Sequence, residues 1–484
     1  MTRMSPGVLA PPHELLSPEE WRQRGREQRG HVSLVSHAQW EPPPDRPDPV
    51  AMLEEQARSR VPELVPIRYG RMIASPFAYF RGAAAAMAWD LAHTPTTDIR
   101  VQACGDAHLL NFGMFAAPDR RLVFDINDFD ETLPAPFEWD LKRLAASFAV
   151  AAREQGFSDR DAHSAARLAV RSYRTEMFRY ASMRFLKVWY SRIDIDKVTS
   201  LFDEVQPKKA VKRRRSDIAK ARQRTSLKAF LKMCDKVDGQ YRIRPAHPVI
   251  VRYPIERHPG ILAELQHAIG LYQETLVADR QEVLRRHYFG DFARKVVGVG
   301  SVGTEAFILL LIGDRPDEPL FLQLKEAQES VLAPFAGKSE YSHQGERVVK
   351  GQQLTQATSD PFLGWTSGIG TSGDGISDDD HEGLHVVAKD YYVRQLRDMK
   401  GSMSVSLMDP DQLAYYGRLC GWALARAHAR TGRATVISGY LGGGEDFENA
   451  IADFAIAYAD QNERDYGRLL QAVSDARVLA TVGQ

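Results

Sequence analysis

With 484 residues the chain is long enough to build two domains and a cleft between them. Its 63 Lys and Arg balance 63 Asp and Glu, which excludes a global field drawing it to nucleic acid or to an anionic membrane. Cys104, Cys234 and Cys420 stand far apart without a CxxC pair, and no run approaches the ~18 apolar residues of a spanning helix, so a cytoplasmic protein with neither a disulfide framework nor a membrane or nucleic-acid partner is expected.

Residues 1–48 are rich in Pro, Arg and His and read as an extended arm. Residues 49–293 read as a large helical lobe. Pro49 to His93 is helical in pattern, with small residues from Gly82 to Ala92 that permit close packing. Ile99–Cys104 and Arg121–Ile126 then alternate like strands around a turn-rich, acidic segment, and helices resume at Glu138 and run with breaks to about Arg286. The basic run Lys208–Arg215 has no interleaved aromatic residues, so it reads as a solvated helix face and not as a nucleic-acid groove. Residues 294–396 form a small β-rich lobe: strand-like runs at Lys295–Thr304, Ala306–Ile312 and Pro319–Lys325, a helix at Gln344–Thr355, a Gly/Ser/Asp-rich loop from Thr366 to Glu382, and a strand at Leu384–Leu396. Residues 397–484 add two C-terminal helices.

Two constellations carry chemistry. In the first, Gly105-Asp-Ala-His-Leu-Leu-Asn111 is followed by Phe124-Asp-Ile-Asn-Asp-Phe-Asp-Glu131. Phosphoryl transfer needs a carboxylate to orient the acceptor hydroxyl, an amide oxygen on magnesium, and a second carboxylate bridging metal and phosphates. Asp106 and Asn111 supply the first two, and an acid at the end of the next strand supplies the third. In the second, Gly298-Val-Gly-Ser301-Val-Gly303, with Gly300 at its centre, lies between strands, and Lys325 ends a later strand. Glycines let backbone amides approach phosphate oxygens, and a strand lysine adds a point charge. A strand follows this loop, which excludes a dinucleotide fingerprint, and no Gly-Lys-Ser/Thr closes it as a Walker A motif would. His108 has no second histidine at metal spacing and reads as loop structure, whereas Arg68, Arg71 and Arg81 read as ordinary ion pairs or as anion contacts.

Over essentially its whole length the chain resembles the uncharacterised family known as domain of unknown function 2252, through Arg68–Met72, Gly105–Gly113, Phe124–Thr132, Arg294–Gly303, Tyr391–Gln395 and Gly421–Arg430. Gly105–Asn111, Asp128-Phe-Asp-Glu131 and Trp139-Asp-Leu141 also resemble the catalytic region of aminoglycoside and choline phosphotransferases. That resemblance implies Asp106 as catalytic base, Asn111 as magnesium ligand and Asp140 as a buried acid bracing the loop. Asp125 and Asp128 compete for the second metal position, and Asp128 is preferred because hairpin length varies more easily than the segment leading into a packed helix. Kinases place the glycine loop first, whereas here it follows the catalytic loop by about two hundred residues, so the order resembles a circular permutation. The expected fold is α+β and protein-kinase-like, a small antiparallel β lobe over a large helical lobe, with Lys325 pairing with Glu346 and reaching the phosphates of ATP. The expected function is phosphoryl transfer from magnesium-bound ATP to a hydroxyl of a small molecule, with a protein acceptor as second choice. An ATP-binding scaffold or an AMP-transferring enzyme is the alternative.

Overall fold

The computed structural model describes residues 16–198, 208–224, 226–253, 259–296, 298–315, 317–368, 389–396, 399–401 and 403–483. It is a mixed α/β structure whose sheets are antiparallel. No helix of the described residues is long and apolar enough to cross a membrane, and the three cysteines are buried and free.

The largest core is helical. Helices Phe137–Glu154, Asp159–Ala181, Pro410–Thr431, Ala434–Leu441 and Asp446–Ser474 bury alanine-rich faces against one another. Small residues allow this closeness: a Cβ added at Gly421 would lie 2.0 Å from the Ala169 carbonyl oxygen of the neighbouring helix. The segment read as an extended arm is instead helical over Pro18–Glu27, where Ser17 and Glu20 form a capping box, and it packs along Ala434–Leu441. Buried Trp40 and His37 fasten the residues that follow, so aromatic burial outweighs the proline-rich composition.

Short strands project the Gly105–Asn111 loop from this core. β1 (Arg100–Ala103) pairs with β4 (Leu133–Pro136), and β2 (Phe112–Ala116) pairs with β3 (Leu122–Ile126), which also meets β5 (Ile193–Asp194). A hairpin of β6 (Cys234–Val237) and β7 (Gln240–Ile243) leads to the six-stranded sheet. That sheet joins β8 (Ile250–Arg252), β9 (Tyr288–Lys295), β10 (Ala306–Ile312), β11 (Pro319–Glu326), β12 (Gly364–Ser367) and β13 (Asp390–Gln395) in the order β12-β13-β11-β10-β9-β8. The β-rich region therefore begins well before residue 294, and β12 is a strand not expected from the sequence, its last two residues falling in the expected Thr366–Glu382 loop. Helix Gln344–Thr355 stands where expected, and the basic run opens helix Lys208–Arg222 with Lys212 and Arg215 exposed. Most of the Gly/Ser/Asp-rich loop and the start of the strand read from Leu384, residues 369–388, lie outside the described residues.

The alternation of strand side chains assigns the two faces of this sheet. Leu320, Leu322 and Leu324 join Phe292, Phe307, Tyr391 and Val393 in a core closed by Tyr272 of helix Pro259–Glu274. Phe321 faces the other way, into a core with Phe230 and Ile308, and the same alternation turns Lys325 toward the acidic segment after β3.

Arg46 ties distant parts of the chain together: its Nε donates to Asp90 at 2.7 Å and its Nη2 to Asp465 at 2.6 Å, with all three side chains buried. Arg46→Ala leaves two carboxylates facing each other out of water, so a loss of about 3–5 kcal/mol is expected in urea unfolding. A loss below about 1 kcal/mol would show that the clamp does not hold the ends in place.

Candidate active site

The loop Gly105–Asn111, called the catalytic loop after its expected role, is held from below. After β1 the chain turns through Gly105 at φ +82°, where an added Cβ would lie 2.2 Å from the Glu131 carbonyl oxygen, so only glycine fits. Asp140, in the first turn of helix Phe137–Glu154, accepts from the Cys104 amide at 2.8 Å and the Gly105 amide at 3.0 Å. His428 Nε2 lies 3.1 Å from the same carboxylate, and the other ring nitrogen of His428 is 2.9 Å from the Tyr173 hydroxyl, so three helices converge on one buried acid. The bracing role implied for Asp140 matches this geometry.

Arg143, one turn beyond Asp140, donates through Nε to Asp106 Oδ1 at 2.8 Å and through Nη2 to the Phe80 carbonyl at 2.8 Å. Asp106 Oδ2 lies 3.8 Å from His108 Nε2. His108 Nδ1 accepts from the Leu110 amide at 3.2 Å, which assigns the proton of the neutral ring to Nε2, and burial pushes the imidazole down to about 4. Asn111 donates to the Asp106 carbonyl at 2.7 Å, which leaves its side-chain oxygen as an acceptor.

The acids after β3 divide into two sets. Asp125 is buried: it accepts from Arg426 at 2.5 Å, the Ile126 amide at 2.9 Å and the Ala357 amide at 3.3 Å. Asp125 is thus a structural acid committed to Arg426, and it is not one of the residues facing the cavity described below. Asp128 and Asp130 turn the opposite way around buried Phe129. The Lys325 ammonium bonds to Asp130 Oδ2 and lies 3.8 Å from Asp128 Oδ1, while the Tyr392 hydroxyl donates to Asp130 Oδ1 at 2.8 Å. Burial alone would raise the Asp128 carboxyl, but the charges of Lys325, Arg394 and Lys400 outweigh it and hold Asp128 well below the usual carboxylate range. Burial and the Asp128 charge raise Asp130.

The glycine loop lies between β9 and β10. Arg71 donates to the Gly298 carbonyl at 2.6 Å, Arg60 to the Val302 carbonyl at 2.5 Å, and the Val61 amide to the Gly303 carbonyl at 2.8 Å, so the segment around residues 60–71 fixes its shape. Gly298, Gly300 and Ser301 line a cavity of about 600 Å³ together with Asp106, Asn111, Asp128, Asp130 and Glu131. Gly303 packs on Arg60 instead. Chain segments nearly two hundred residues apart thus face one space.

Lys325 does not pair with Glu346. Its partners are Asp128 and Asp130, and helix Gln344–Thr355 sends Arg347 inward instead, to the carbonyls of Thr132 (2.7 Å), Asp130 (2.8 Å) and Gln328 (2.7 Å). Adjacent helix positions point about 100° apart, and the turn of this helix buries Arg347. Arg60, Arg143, Arg347 and Tyr392 escaped the sequence reading. Arg143 was accessible to it, three residues after Asp140 on one helix face; Tyr392 depends on a strand register that composition does not reveal.

Among the described residues no three His, Cys, Asp or Glu side chains form a metal cage. Asn111 and Asp128 both line the cavity as oxygen donors.

Glu131 accepts from the Val331 amide at 2.7 Å, and burial pushes its carboxyl up to about 7 from the ordinary 4.5. A raised acid binds its proton more tightly in the fold, so its contribution is full below pH 4.5 and lost as pH rises through 7. In urea unfolding with chelator present, Glu131→Gln should gain on the wild type as pH rises across that interval; a constant difference would refute the shift.

The model of a family described as uncharacterized proteins conserved in bacteria, DUF2252, matches residues 60–472. No curated protein and no solved structure matches the sequence. The match takes in the catalytic loop, the acid pair, the glycine loop and Lys325, and the chain belongs to the DUF2252 family.

Proposed function

We propose that the chain is an ATP- and magnesium-dependent phosphotransferase, with a protein-kinase-like site whose parts run in circularly permuted order and whose small β-rich part sits over a large helical part. The observation that carries this reading is the shared cavity: Asp106, Asn111 and Asp128 line it together with Gly298, Gly300 and Ser301, and Lys325, buried and not itself in the lining, is bound to the acid pair that is. This is the set of groups that phosphoryl transfer requires, brought together from both halves of the chain.

Magnesium-bound ATP would supply the transferable phosphoryl group and the cation that offsets its charge. Asn111 and Asp128 are the residues that would hold the metal. The glycine loop would offer amides to phosphate oxygens, and Lys325, whose three donors are only partly used by Asp130, would add charge. Asp106 would orient the acceptor hydroxyl and take its proton as the acceptor oxygen bonds to phosphorus and the bond to the departing ADP breaks. Arg143 keeps one oxygen of Asp106 occupied, and neutral His108 stands beside the other, so the carboxylate has one defined working edge. A small-molecule hydroxyl is the favoured acceptor.

Magnesium-ATP at about a hundred times its dissociation constant should stabilise the wild type by about 2.7 kcal/mol in thermal melts. Asp128→Asn and Lys325→Met should lose that shift, whereas Asp106→Asn should keep it but form no ADP. No shift in folded wild type would sink the reading. Pyrophosphate in place of ADP would replace phosphoryl transfer with AMP transfer.

A further inference from the structure

The lining of the cavity also carries three guanidinium groups, Arg60, Arg68 and Arg81. Arg68 is fully buried; its Nη2 donates to Gln56 at 2.9 Å and to the Gly82 carbonyl at 3.1 Å, while Nε and Nη1 have no partner among the described residues. Arg60 spends Nη1 on the Val302 carbonyl and leaves Nε without a partner, and the buried Nε of Arg81 has none either. Among the described residues none of the three is paired with a carboxylate, and burial lowers the pKa of each. Against that burial, the charges of Asp106 and Asp128 act on Arg81 and those of Glu131 and Glu326 on Arg60, without an ion pair at either.

A buried guanidinium with unmade hydrogen bonds is costly, and an anion in the cavity that the three line would relieve that cost. The donor phosphates already have the glycine loop and Lys325. Three cations exceed what one carboxylate needs and match a dianionic phosphate, which guanidinium forks bind through paired hydrogen bonds. The geometry points to a second anion subsite, formed by Arg60, Arg68 and Arg81, that holds a phosphate carried by the acceptor itself. The acceptor is then a phosphorylated alcohol, held by its existing phosphate so that its hydroxyl meets Asp106; this assignment rests on the phosphotransferase reading above.

The probe is inorganic phosphate, with the full chain melted in phosphate and in chloride at matched ionic strength, each with and without saturating magnesium-ATP. Wild type should melt about 2 °C or more higher in phosphate, and the increment should persist on top of magnesium-ATP. Arg81→Met and Arg68→Met should lose it while melting in chloride no lower than wild type, since each removes an unpaired buried charge. If Arg68→Met does not fold, Arg81→Met alone decides, because no hydrogen bond depends on its side chain among the described residues. The absence of a phosphate increment, or its survival in both variants as an adventitious ion only, overturns the subsite. Loss of the increment when magnesium-ATP is present also overturns it, by assigning the arginines to the donor. If magnesium-ATP has no effect but the arginine-dependent phosphate increment remains, the subsite stands and the nucleotide reading falls.

Discussion

The contact on which the site depends is the Lys325 ammonium held between Asp128 and Asp130. Two half-buried carboxylates separated by one buried phenylalanine point the same way and repel each other, and a cation between them offsets that repulsion. That cation comes from β11, so the charge state of the acid loop is decided by a strand register in another sheet. Lys325 lies opposite Tyr392 in β13, and Tyr392 bonds the same Asp130. A slip of one residue would present Leu324 or Glu326 in place of the lysine and take from Asp130 the cation bonded to it. Register and site chemistry are one constraint.

Helix Phe137–Glu154 does the corresponding work from the other side. Asp140 and Arg143 share a face, one holding the backbone of the catalytic loop and the other the Asp106 carboxylate. His428 and Tyr173 extend that support into two further helices. The loop's position follows from the packing of the alanine-rich core, which gives a loop the precision of a helix.

What could be read from the sequence was chemistry with a local signature. Asp106, Asn111, Asp128 and the glycine loop stood out because acids, amides and glycines at short spacing have few other uses, and the structure brings them to one cavity. What depended on direction was harder to read. Asp125 and Asp128 compete along the chain, with Asp128 preferred on hairpin length, and the structure sends Asp125 to Arg426 and Asp128 toward Lys325. Glu346 failed by one residue on a helix, where Arg347 takes the inward position. The N-terminal segment was misjudged because its prolines and arginines signal extension, whereas a capping box and a few buried aromatics decide its structure. Whether a buried arginine is paired was beyond the sequence altogether, because pairing is a property of distances.

The Arg46 clamp bears on where the folding unit ends. The family match spans residues 60–472, yet Arg46 lies outside it and neutralises Asp90 and Asp465 inside it. Pro47, Ala51, Met52 and Gln56, which wall the cavity, also precede the matched span. A fragment cut to the match would keep every residue of the acid pair, the catalytic loop and the glycine loop while opening one side of the chamber and stranding two acids at its back. The boundary of sequence similarity therefore falls inside the physical unit, and expression limits for this protein are better drawn ahead of helix Pro18–Glu27 than from the ends of the matched segment.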